Sequence, residues 1–116
     1  MKKIVVKSMN LSLVEFKDDE AYYSYCPALE LIGYGNDKEE AKKSFKIVLE
    51  EYIRYTTENQ TLLADLKNHG WKITENGKKI TPPKISELLQ SNNNLNDIFN
   101  KYDFNKYSIP VKMQLA

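Results

Sequence analysis

The sequence predicts an α+β fold: a small antiparallel sheet in β-β-β-α order, then a second helix, a β-hairpin and a short helical and strand-like C-terminal extension. Three observations carry this. Ala41, Phe45, Val48, Leu49, Tyr52 and Ile53 recur at helical spacing behind an acidic start, which is the pattern of a helix with one apolar stripe. Upstream of that helix the chain is β-branched and tyrosine-rich, with turn residues at intervals. Downstream, Asn76-Gly77 stands between Trp71–Ile73 and Lys79–Thr81, the strongest short-range signal for a hairpin.

In chain order, Ile4 to Phe16 reads as extended. Val5, Lys7, Met9, Leu11 and Leu13 fall on one parity, Ile4, Val6, Ser8, Val14 and Phe16 on the other, and neither is apolar throughout. That mixture predicts a bulge near Met9-Asn10 or two short strands with different buried faces. Lys17 to Glu20 is a turn, and Ala21 to Tyr25 returns as a strand with Tyr23 and Tyr25 on one face and Tyr22 on the other. After the Pro27 corner, Leu29 to Tyr34 is the third strand, and Gly33 and Gly35 loosen the backbone where the chain reverses.

Asp37, with Glu40 three residues later, opens the long helix as a capping box with Asp in place of Ser or Thr. Its outer face carries Lys43, Lys46, Glu50 and Arg54, and pairs Glu39 with Lys43 and Glu50 with Arg54. Thr56-Thr57 marks its end, since both residues favour local hydrogen bonds over helix. Thr61 caps a second helix that buries Leu62, Leu63 and Leu66 and stops at His69-Gly70, with glycine suited to the left-handed position. The hairpin follows, ended by Pro82-Pro83. Ile85 to Leu89 is a short helix, Ser91 to Asn94 a break, and Leu95 to Tyr102 a further helix with Leu95, Ile98 and Phe99 inward. Tyr107 to Leu115 has strand character, and Pro110 confines it to a sheet edge or bulge. Residues 1–81 are therefore taken as one α+β domain including the hairpin. Residues 82–116 are a C-terminal extension packed on it, not an independent DNA-binding domain.

Composition narrows the functional classes. With 17 basic and 16 acidic residues the net charge is +1, so no global field favours nucleic acid or membrane. One Cys and one His leave no disulfide framework and no self-contained zinc site. The N-terminal MKKIVVKSMN is interrupted by Lys7, Ser8 and Asn10 too early for a signal peptide, and no apolar run reaches the ~20 residues of a spanning helix. A cytoplasmic protein without cofactor or metal is expected.

Cys26-Pro27-Ala28-Leu29, a glycine-bearing strand, and then Gly35-Asn36-Asp37 with Glu39-Glu40-Ala41 opening a helix resemble the amino-terminal domain of HicB-type antitoxins. The resemblance covers about Leu11 to Tyr55 and implies a truncated ribonuclease-H-like fold. It further implies an antitoxin of a HicA/HicB-type toxin–antitoxin system, which neutralises an mRNA interferase by binding the HicA-like toxin directly. The expected partner contacts are Tyr22, Tyr23, Tyr25, Pro27, Leu29, Leu31 and Tyr34. Antitoxins of this kind usually carry a C-terminal DNA-binding module. Here Lys84 to Ala116 has four lysines against three acids and no recognition helix, which argues against operator binding. The extension is instead expected to complete the sheet or to mediate a homodimer or higher oligomer, with Ile109 to Met113 pairing with Ile4 to Lys7 or with a neighbouring chain.

Two other readings are set against this one. A nucleic-acid-binding domain would use Lys72, Lys78 and Lys79 of the hairpin. A small metal-dependent nuclease of ribonuclease-H ancestry would need acids converging from strands, and Glu15, Asp18, Asp19, Glu20 and Glu30 are those near strands. Asp18 to Glu20 read as a solvated turn, His69 as a helix-end residue and Cys26 as a buried inert thiol, so no catalytic residue is assigned.

Overall fold

A computed structural model describes residues 6–74 and 79–114. It holds a four-stranded antiparallel sheet, a two-stranded sheet and four helices, in the α+β class expected. The elements are β1 (Val6–Lys17), β2 (Tyr22–Cys26), β3 (Leu31–Gly35), α1 (Lys38–Glu58), α2 (Leu62–Asn68), β4 (Lys72–Thr74), β5 (Lys79–Thr81), α3 (Ile85–Ser91), α4 (Asn93–Lys101) and β6 (Phe104–Gln114). The main sheet has the order β3-β2-β1-β6, so the last strand of the chain lies beside the first. Ile4, Leu115, the Asn76-Gly77 turn and Lys78 lie outside the described residues.

Neither alternative expected for the first strand, a bulge or two short strands, is present: β1 is one continuous strand. The β1–β6 register runs without a slip from Val6↔Gln114 to Phe16↔Phe104. The mixed parity has a different cause, because the cover over β1 changes along its length. Leu11 and Leu13 face α1 and are fully buried while Ser8, Asn10 and Ser12 face outward. From Val14 to Phe16 both faces are covered, so successive residues are all buried. β2 pairs only with Val14 to Lys17, and among the described residues no strand flanks β1 on that side from Val6 to Leu13. The strand at Ile109–Met113 pairs within the chain, with Leu11 to Lys7, and Pro110 sits on an edge strand as its missing N–H requires.

β3 starts later than the sequence suggested. Pro27 to Glu30 form a turn closed by Leu29 N–H to Cys26 O at 3.3 Å, and Glu30 has φ 54°. The two glycines of β3 also have another role. A Cβ on Gly33 would lie 2.2 Å from Phe45 N and 2.6 Å from Phe45 Cα, and one on Gly35 would lie 2.8 Å from Ala41 N. Strand and helix backbones are therefore in contact, and glycine is what permits it.

The α1 start is as read: Asp37 Oδ1 accepts from Glu40 N–H at 2.8 Å, while Glu40 Oε2 accepts from Asn36 N–H at 2.7 Å, one residue before the usual partner. The helix runs past Thr56, whose hydroxyl donates back to Tyr52 O at 2.8 Å, and ends at Glu58. Arg54 pairs with Glu51 and Glu58, not Glu50. Thr61 precedes α2 but its side chain makes no cap bond. Gly70 has φ 86°, with Trp71 N–H bonded to Leu66 O and Gly70 N–H to Lys67 O, a Schellman ending. The break between α3 and α4 shrinks to Asn92 alone.

Candidate functional site

The face of the sheet opposite α1 carries an aromatic row made by register. Phe104 lies opposite Phe16, Phe16 opposite Tyr23, and Tyr23 opposite Tyr34, so one ring from each strand crosses the whole sheet. Phe16 and Tyr23 stack at 5.0 Å between centroids. α4 covers one end of the row: Phe99 stacks on Phe104 at 4.1 Å, and Tyr102 packs on Phe16 at 5.3 Å. The other end is open. Tyr34 is 67% exposed, and Ile32, two residues earlier on the same face, is 43% exposed. Both sit on β3, whose outer edge carries no strand among the described residues.

Acids rim this open end. Tyr23 Oη donates to Asp18 Oδ2 at 2.9 Å, and Asp18 also accepts the backbone N–H groups of Ala21 and Glu20, which hold its carboxyl below the usual range. Glu20, Ala21, Tyr23, Tyr34, Gly35, Asn36 and Glu40 line a shallow recess of about 610 Å³. The near-neutral total conceals an asymmetry. Residues 18–40 hold seven acids and one lysine, leaving sixteen basic against nine acidic residues elsewhere. The β1–β2 and β3–α1 turns place Asp18 to Glu20 and Asp37 to Glu40 at the same end of the sheet.

The expected partner contacts divide. Tyr34 is exposed, and Tyr22, Tyr23 and Leu31 are half-buried. Tyr25, Pro27 and Leu29 are buried in the chain's own core and cannot meet a partner in this conformation. Tyr25 is on the same face as Tyr23 and Ile32 but is covered there, its hydroxyl accepting from Asn92 Nδ2 at 3.0 Å, and Ala28, in the same turn as Pro27 and Leu29, is tied by Trp71 Nε1–H to Ala28 O at 2.8 Å. Ile32, which the sequence reading did not single out, joins Tyr34 on the open face. Its signal was the period-2 relation to Tyr34 within one strand.

Lys72 and Lys79 are exposed and share one face of the β4–β5 hairpin, opposite Ile73 and Ile80. The strand acids do not meet: Glu15 lies on the α1 side of β1, and Glu30 is exposed in the turn. Among the described residues no group of three His, Cys, Asp or Glu side chains stands at metal-binding distance. His69 Nδ1 lies 2.8 Å from Asp65 O at the end of α2. Cys26 is fully buried, which pushes its thiol up to about 11. No described helix is long and apolar enough to cross a membrane. Comparisons of the chain with protein-family models, with curated proteins and with solved structures gave no significant match.

Proposed function

We propose that this protein is a binding module for a basic protein partner, gripped at the open end of the aromatic row. The observation that carries the reading is the placement of Tyr34 in an acid-rimmed recess on an edge strand, with Ile32 exposed beside it on the same face. Tyr34 N–H is taken by Ser44 Oγ at 3.2 Å, so the edge is partly capped by α1, and it is the two side chains that offer anchors while the acids steer and select a basic surface. The resemblance of Leu11 to Tyr55 to HicB-type antitoxins supplies the candidate identity: a HicA-type mRNA interferase, neutralised by direct binding without bond-breaking chemistry.

The test is co-expression and co-purification with the product of a neighbouring short basic reading frame. A complex is expected, with Tyr34→Ala weakening it at least ten-fold, as for an anchor residue, and Glu20→Lys with Glu40→Lys slowing association steeply at low salt. A complex indifferent to all three substitutions would reject the site. A neighbour that never binds would reject the antitoxin identity.

A second reading rests on Lys72 and Lys79 sharing an exposed hairpin face. It predicts RNA or DNA binding that falls steeply with salt, with a slope reduced by about one for each lysine neutralised. A flat salt response would remove it.

A further inference from the structure

One buried charge has no assigned role. Glu15 is 8% exposed, and no donor among the described residues reaches its Oε1. Its other oxygen, Oε2, stands 3.9 Å from Lys38 Nζ, a loose approach by a side chain that is itself 55% exposed. A buried carboxylate oxygen without a donor is costly, and chains seldom keep one without use for it. Glu15 lines a cavity of about 330 Å³, near the lower end of the range for small-ligand sites, together with Tyr22, Lys38, Asp103, Phe104 and Asn105. It lies where the start of α1 meets the end of β1 and the start of β6. Glu15 is the buried charge of this set, whereas Lys17 and Lys38 at the mouth are exposed. The Tyr22 ring already accepts a cation, with Lys17 Nζ 5.6 Å from its centroid.

We propose that this cavity is a receptor for a guanidinium group, with Glu15 as the acceptor and Tyr22 as a flat wall. A guanidinium is planar, can lie against the Tyr22 ring while an N–H donates to Glu15 Oε2, and is less strongly hydrated than an ammonium. The last property decides between the two cations. The chain already supplies a primary ammonium at the mouth, in Lys38, and it stays out of hydrogen-bonding range of Glu15. The guanidinium can come from a free guanidino compound or from an arginine side chain of a peptide or protein. Glu15 and Tyr22 are on the α1 side of the sheet and Tyr34 is on the other, and Tyr34 does not line this cavity, so the inference does not rest on the partner proposed above.

The experiment titrates the full chain with ethylguanidinium and with N-acetyl-arginine amide, against ethylammonium as control, by calorimetry and by chemical shifts of Tyr22 and Asn105. Saturable binding of the guanidinium compounds is expected, at least ten-fold tighter than ethylammonium. Glu15→Gln should weaken it at least ten-fold while leaving the melting temperature unchanged or higher, because a merely structural ion pair would instead lower it. Lys38→Ala should tighten binding several-fold by removing the competing ammonium, and this variant serves if Glu15→Gln fails to fold. Tighter binding of the amide than of ethylguanidinium identifies a peptide arginine as the source, and equal binding a free guanidino compound. No saturable binding, binding unchanged in Glu15→Gln, weaker binding in Lys38→Ala or equal affinity for ethylammonium would each overturn the proposal.

Discussion

Gly33→Ala is expected to destabilise the protein by on the order of 3 kcal/mol, the upper range for overpacking, because no side chain can move aside to accept the new atom. The added Cβ would lie 2.2 Å from Phe45 N, 2.6 Å from Phe45 Cα and 2.8 Å from Ala41 O, all helix backbone. The helix would have to lift from β3, and with it Ala41, Phe45 and Leu49, which are buried against the sheet. Thermal or urea unfolding measures the loss. A change below about 1 kcal/mol would mean that α1 does not rest on β3 as described. A control at the exposed Ile47 (to Ala) should change little, as expected for a surface position.

The second large effect is expected at Asn92. This residue is 6% exposed and stands alone between α3 and α4. Its Oδ1 accepts Leu95 N–H at 3.1 Å as the cap of α4, and its Nδ2 donates to the Tyr25 hydroxyl at 3.0 Å, joining the helices to the sheet 67 residues away in sequence. Asn92→Ala removes the cap, worth ~1 kcal/mol, and strands a buried hydroxyl at a cost of ~1–3 kcal/mol, so a loss of about 2–4 kcal/mol is expected. Asn92→Asp keeps the cap acceptor, and the Tyr25 hydroxyl can turn to donate to it, so a much smaller loss is expected. Equal losses in the two variants by urea unfolding would show that the cap acceptor contributes nothing and that the Nδ2 donor, absent from both, carries the effect.

The two sites differ in how far the sequence exposed them. The Tyr23 and Tyr25 parity was readable, since side chains alternate along any strand. What parity cannot report is which part of a face another element covers. α4 shields Phe16 and Phe104, and Tyr25 is covered with its hydroxyl bonded to Asn92, while Tyr34 on the same face stays open. Three expected contacts thus became core. Ile32 was passed over because its exposure depends on β3 being an edge strand. Glu15 was readable only as an acid on a strand, since the strands that flank it, through Ser24 and Asn105, come from elsewhere in the sequence.

By itself the sequence determined what depends on near neighbours. The Asp37 cap, the stripe from Ala41 to Ile53 and the Gly70 ending all follow from contacts or geometry within a few residues. Tertiary structure alone decided the unbroken β1–β6 register, the backbone contact at Gly33, the aromatic row and the buried Glu15. Each of these joins segments far apart along the chain, and neither periodicity nor propensity carries information about which distant residue will stand opposite.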